Sequence, residues 1–307
     1  LSTHHFVDSI SQRNFLLVNK VTSEKKSSVL GHGSISGVNL DKFKFSQHSR
    51  SQLRESLGLN DDVFIFLYAG RLKIDKGIPE LFTAFDNISK TNDCRLVIVG
   101  HDEEQLLSKI ENNNKVIFCG FSDDILAYFS MADVLCLPSH REGFGNVIIE
   151  AAACGLPSLG SDIYGLSDAI SHNKTGLLHK VADVQDLENK MLQLYSDREL
   201  LHTYAINSTK RVHKLFSENL IVSEFVSFYK LHKIGCLQYK VNSFPYLREI
   251  WVIKLIIMFS LTYFQILPKN RRVGQHHAPM SLYHLEQGRR LLKATLAKST
   301  YSLVIHF

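Results

Sequence analysis

The chain has 307 residues, 45% hydrophobic and 21% charged, which excludes a disordered or collagen-like polymer and allows one large or two modest globular domains. Its net charge of +5 is unevenly spread: from Lys240 onward there are ten Lys/Arg and two Asp/Glu, leaving 25 basic and 28 acidic residues before it. A mildly acidic body with a basic tail suggests an anionic surface as partner, and without a recognition motif beside the charge no nucleic-acid partner is expected. Five cysteines (Cys94, Cys119, Cys136, Cys154 and Cys236) show no metal spacing. They read as buried thiols of a reducing compartment. No signal peptide opens the chain. It starts at Leu1 in mid-pattern, as expected of a fragment lacking its true amino terminus.

In chain order, Ser9 to Val21 reads as a helix and Ser27 to Leu30 as a short strand. Gly31 to Gly37 is polar and glycine-rich, and reads as a hinge or linker rather than a core element. Asp41 to Phe45 and Ser51 to Leu57 lead into the main domain. Val63 to Tyr68 is a continuous apolar run, the pattern of a strand buried on both faces. Gly77 to Ser89 has helical spacing, with Pro79 tolerated in the first turn. Cys94 to Val99 predicts a strand, Glu103 to Glu111 a helix, and Val116 to Cys119 a strand. Asp123 to Met131 predicts a helix capped by Ser122 or Asp123, and Val134 to Leu137 a strand. Asn146 to Cys154 reads as a buried, Ala-rich helix, stopped by Gly155 and Pro157. Ser158 to Gly160 and Gly176 to His179 are strands. Asp183 caps a helix to Tyr195, and helices over 198–216 and 218–233 follow. Strands alternating with helices predict an α/β, Rossmann-like, doubly wound parallel sheet, with ligands beyond the carboxyl ends of its strands.

After about Lys240 the alternation stops. Ile250 to Leu267 holds 14 apolar residues in 18 and includes Lys254, a little short of the roughly 20 residues of a spanning helix. Spanning, interfacial and protein-docked readings stay open, as does an extension foreign to the domain. Ser281 to Lys298 reads as a basic helical stretch.

Two constellations carry chemistry. The first is Glu142-Gly143-Phe144-Gly145-Asn146-Val147 running on to Glu150. Gly143 and Gly145 allow a tight turn, and the helix that follows presents free N–H groups and a positive dipole end suited to phosphate. Glu150 lies in an apolar run, where a carboxylate needs a partner such as ligand hydroxyls. Phosphate with hydroxyls points to a nucleotide or nucleotide sugar, although structural ion pairs hold such acids as often. The second is Gly70-Arg71 with Lys76-Gly77, after the first buried strand. Arg71 supplies a planar fork and Lys76 a point charge for a diphosphate. Taken alone, solvated loop cations are the commoner reading. His140 reads equally as pocket or plain loop, and His101 as solvated surface. The pairs His4-His5 and His276-His277 lack further ligands at useful spacing.

Together the motifs resemble retaining glycosyltransferases of the GT-B fold, the "glycosyl transferases group 1" type with an E-x7-E signature. Val29 to Phe43 resembles the interdomain linker of polysaccharide-assembly members, and Gly155-Leu156-Pro157 with Gly160 to Gly165 continues the signature. The match covers roughly residues 10–235. It implies a remnant of the amino-terminal acceptor domain plus linker over 1–45 and a nucleotide-sugar-binding domain over 46–239; the extra basic and apolar helical tail over 240–307 has no match in the family, and its role stays open, membrane association being one reading. It implies that Arg71 and Lys76 hold the donor diphosphate, that Glu142 contacts the transferred sugar, and that Glu150 accepts the ribose hydroxyls. Gly70, Gly143, Phe144, Gly145, Asn146 and Val147 complete the donor site. The implied reaction moves a sugar from a nucleotide-diphosphate sugar to a sugar or lipid-linked acceptor with retention, in surface polysaccharide assembly at the cytoplasmic face of the plasma membrane. No metal or other cofactor is expected, and no Asp-x-Asp site is evident. With most of the acceptor domain missing, a non-catalytic nucleotide-sugar-binding remnant stands as an alternative, as does an epimerase of the same fold. A phosphorylase is not supported, because no pyridoxal-binding lysine segment is found.

Overall fold

The structure is a computed structural model, and it describes residues 4–109 and 113–231, all within one compact unit, Leu1–Gln238. The apolar stretch Ile250 to Leu267, the basic stretch Ser281 to Lys298 and Cys236 lie outside the described residues. Among the described residues no helix is long and apolar enough to cross a membrane.

The centre is a six-stranded parallel sheet built from β3 (Phe64–Ala69), β4 (Cys94–Val99), β5 (Val116–Phe118), β6 (Val134–Leu137), β7 (Ser158–Ser161) and β8 (Gly176–His179). Its spatial order is β5-β4-β3-β6-β7-β8, so the chain winds outward from β3 and then restarts at β6. Phe66 pairs with Val134 and Leu67 with Leu135 across that restart. Right-handed crossovers leaving in opposite directions place their helices on opposite faces, and open a crevice between the carboxyl ends of β3 and β6. Every residue of β3 and β6 is buried, which is why both read as unbroken apolar runs. Each large side chain so buried contributes about 1.5–3 kcal/mol.

Helices flank the sheet: α3 (Ile78–Ser89) packs with α7 (Val184–Ser196), α2 (Gln47–Ser56) with α4 (Ile125–Met131), and α5 (Asn146–Ala153) with α8 (Arg198–Leu215). Arg54 of α2 is buried and donates to the carbonyls of Met131, Asn60, Asp61 and Val63, and to Asp133 at 3.1 Å. This one guanidinium satisfies carbonyls of the turns that enter β3 and β6.

Several sequence expectations are corrected. The helix expected over Glu103 to Glu111 is, among the described residues, only a 3-10 turn at Leu107–Lys109. Asp102 accepts the N–H groups of Leu106 and Leu107 at 2.9 and 3.0 Å, a side-chain alternative to helix bonding. Helix α4 is capped by Asp124, not by Ser122 or Asp123. Helix α1 (Ile10–Val18) ends before Val21. The strand expected over Ser27 to Leu30 is β2 (Ser27–Ser28), paired in parallel with a two-residue β1 (His5–Phe6) too short to carry a pattern. A one-turn helix α6 (Leu166–Ala169) was not legible, and α9 (Glu218–Leu231) follows α8.

The segment Gly31 to Gly37 is not a free linker. Ser34 is fully buried, donates to Asn146 Oδ1 at 2.9 Å, and its N–H bonds the Asp8 carbonyl at 2.8 Å. A side chain at Gly33 would meet the Asp8 carbonyl at 2.8 Å and Phe144 at 2.9 Å. The composition is linker-like because the chain passes too close to these groups for anything larger than glycine.

Candidate donor site at the sheet switch point

The loop after β3 carries Gly70, Arg71 and Lys76, and the loop after β6 carries Glu142 to Gly145 before α5 begins. The two loops are joined at several points. His140 donates its N–H to the Asp75 carbonyl at 2.9 Å, Arg141 contacts Asp75 at 3.1 Å, and the His140 ring meets Glu80 at 2.8 Å. Gly77, at φ +70°, crosses so near the second loop that a Cβ would lie 2.0 Å from the Pro138 carbonyl oxygen. These contacts set Lys76 opposite Glu142, with Nζ 2.5 Å from Oε1. Ser139 donates to the same carboxylate at 3.2 Å. Both side chains of the pair are largely buried, at 17% and 19% exposure.

Beside this pair lies a cavity of about 430 Å³, lined by Asp8, Tyr68, Ala69, Gly70, Arg71, Lys76, Leu137, Glu142, Gly143, Phe144, Gly145, Asn146 and Val147. Nine residues expected at a donor site from the sequence therefore share one cavity. Glu150 is not among its lining residues. It lies one helical turn beyond Asn146 and Val147 on the same stripe of α5. Burial pushes its carboxyl above the ordinary range, and the Lys42 charge offsets this in part. No hydrogen bond or ion pair to Glu150 is found among the described residues.

The amino end of α5 opens onto the cavity. Its cap is Gly145 in the left-handed conformation, and no side chain caps it. The first N–H groups of a helix have no partner within it, and the helix dipole adds positive potential there. Arg71 is more exposed, at 54%, and faces Glu103 at 3.6 Å. Tyr68 donates to the Arg71 carbonyl at 2.7 Å, which holds the strand end against the loop. Phe144 contributes its backbone, since its ring is buried against Phe216 at a centroid distance of 5.3 Å. His140 is engaged with Glu80 rather than with the cavity, and His101 is exposed and stacks on Phe121 at 4.8 Å. Among the described residues no group of three or more His, Cys, Asp or Glu could hold a metal ion.

Sequence reasoning missed Asp8 and Tyr68. In the sequence Tyr68 reads only as the end of an apolar strand. Asp8 precedes Ser9-Ile10-Ser11-Gln12, a Ser-x-x-Gln helix start in which Ser9 accepts the Gln12 N–H at 3.2 Å. That signal marks the helix but not the role of the residue before it.

This fold defines a Rossmann-like α/β domain with a crevice at the strand switch. The family model "Glycosyl transferases group 1" matches residues 49–211, and the chain belongs to this family of GT-B glycosyltransferases. The chain is 34% identical over 229 residues to the capsular polysaccharide biosynthesis glycosyltransferase CapM of Staphylococcus aureus, covering 72% of this chain and 60% of that protein. It therefore spans somewhat over half the length of this relative. The solved sucrose-phosphate synthase of Thermosynechococcus elongatus aligns with a TM-score of 0.65 at 28% identity, over 75% of this chain and 58% of that one. Anabaena HepE, solved with UDP-glucose, shares the fold at a TM-score of 0.65 and 22% identity, over 74% of this chain and 64% of that one.

Proposed function

We propose that the cavity is the donor site of a retaining glycosyltransferase, which takes a nucleotide-diphosphate sugar and passes the sugar to a sugar or lipid-linked acceptor. The observation that carries the reading is the Lys76–Glu142 pair facing the uncapped amino end of α5 across one cavity. The diphosphate lies against Lys76, Arg71 and the first N–H groups of α5. As the sugar–phosphate bond breaks, charge grows on the departing diphosphate, and fixed cations and backbone dipoles stabilise it where it develops. In this reading they act in place of a divalent cation, and no metal or other cofactor is needed. When the diphosphate takes Lys76, Glu142 is released to accept hydroxyls of the sugar. Glu150, raised by burial and without a hydrogen-bond partner among the described residues, accepts the ribose hydroxyls. Retention of configuration rests on the E-x7-E resemblance.

A role in surface polysaccharide assembly follows from the likeness to CapM. We place the reaction at the cytoplasmic face of the plasma membrane, where the basic residues from Lys240 onward meet an anionic leaflet.

The test is titration of Glu150→Ala with nucleoside diphosphates and their 2′-deoxy counterparts. Loss of affinity for the ribose form alone is expected. Equal loss for both forms would remove Glu150 from the ribose site.

A further inference from the structure

Asp8 belongs to neither motif, yet it enters the donor cavity. It lies between β1 and α1, in the stretch before the main sheet, and its carboxylate faces the turn that carries Glu142. A Cβ added to Gly143 would stand 2.8 Å from Asp8 Oδ2. Gly143 therefore has to be glycine for this carboxylate to sit there.

The position is fixed from several sides. The Asp8 carbonyl accepts the Ser34 N–H at 2.8 Å, and Ser9 caps α1. Ser11 donates its hydroxyl to Asp168 and accepts the Gly165 N–H at 2.8 Å. Gly165 in turn abuts the carbonyls of Glu142 and Gly143. The carboxylate itself has no hydrogen bond or ion pair among the described residues. The cations that face the cavity are engaged elsewhere, Lys76 with Glu142 and Arg71 with Glu103. Burial alone pushes the Asp8 carboxyl above its ordinary range, with no neighbouring charge to offset it.

An unpaired, half-buried carboxylate inside a cavity is costly unless a donor reaches it. The phosphates of the nucleoside diphosphate are anionic acceptors, and its ribose hydroxyls go to Glu150 in the reading above. The donor's sugar carries hydroxyls that can donate. We infer that Asp8 is a specificity-determining residue of the donor site, accepting a hydrogen bond from a hydroxyl of the transferred sugar and so selecting which sugar is held beside Glu142. This inference rests on the donor-site reading above. It gives the segment before the main sheet a direct share in the site.

The test is a calorimetric titration of the full chain and of Asp8→Asn and Asp8→Ala, without acceptor. The probes are UDP, GDP and ADP, and the conjugates UDP-glucose, UDP-galactose, UDP-N-acetylglucosamine, GDP-mannose and ADP-glucose. The unmodified chain is expected to bind its preferred conjugate more tightly than the bare diphosphate. Both variants should keep the affinity for the bare diphosphate, lose about tenfold or more for that conjugate, and discriminate less among the conjugates. Thermal unfolding confirms that the variants fold, and Asp8→Asn should melt no lower than the unmodified chain. An unchanged conjugate affinity, or an equal loss for the bare diphosphate, overturns the role of Asp8 while leaving the donor site standing. If none of UDP, GDP and ADP binds the unmodified chain, the donor-site reading itself fails, and this inference falls with it.

Discussion

Lys76 Nζ and Glu142 Oε1 meet at 2.5 Å although 66 positions separate them in the chain, and their contact bridges the carboxyl ends of β3 and β6. A diphosphate entering the cavity competes with Glu142 for this ammonium. Lys76→Met should therefore lower nucleoside diphosphate affinity by about ten- to a hundredfold, the worth of a charge-assisted hydrogen bond. Glu142→Gln should bind the bare diphosphate as tightly as the unmodified chain or more tightly, yet hold the sugar conjugate less well. Calorimetry on both variants checks this. Parallel losses for the bare diphosphate in the two variants would contradict the competition.

Glu150 predicts an exchange of stability for binding. Its folded-state carboxyl lies above the ordinary value of 4.5. The folded state then holds the proton where the unfolded chain has released it, so stability falls as pH rises through that window. Glu150→Gln removes the penalty. The variant should be more stable than the unmodified chain at pH 7, and the difference should shrink as the pH falls toward 4.5 and below. Chemical denaturation at several pH values reads this out. The same variant should bind nucleotide less well.

Arg54 carries a structural prediction independent of the site. Its side chain is 1% exposed and donates to four carbonyls and to Asp133. Arg54→Ala strands those acceptors and, among the described residues, leaves Asp133 the Ile65 N–H at 2.8 Å and an ion pair with Arg50 alone, at 3.5 Å. A loss of about 3–5 kcal/mol in denaturant unfolding is expected. A loss under about 1 kcal/mol, the range of exposed ion pairs, would show that water replaces the guanidinium.

The buried thiols should be inert in the folded state. Burial pushes Cys94 up to about 11 and Cys154 up to about 12, and raises Cys136 and the half-buried Cys119 as well. Thiolate is the reactive form, so alkylation of these four at pH 7–8 should be slow until the protein is unfolded. Rapid native-state labelling at Cys94 or Cys154 would contradict their placement.

The parts of this protein that the sequence reveals are those whose signal is local. β3, β4 and β6 are buried on both faces and read as apolar runs, and Gly145 before an Ala-rich stretch marks the start of α5. The residues of the two motifs were legible one by one. Their pairing was not, because it depends on the order of strands in the sheet and not on spacing. Asp102 shows how a local signal misleads: its side chain captures two N–H groups where helical periodicity predicted α-helix. Asp8 and Ser34 were illegible for the opposite reason. A lone acid and a serine in a glycine-rich stretch gain meaning only when the chain folds them against Gly143 and Asn146.

The most direct measurement is a calorimetric titration of UDP, GDP and ADP into the full chain, repeated with the matching monophosphates and with Lys76→Met. One diphosphate should bind, more tightly than its monophosphate, and that preference should shrink in the variant. If no diphosphate binds, or if the preference survives the loss of Lys76, the cavity between β3 and β6 is not a nucleotide-sugar donor site.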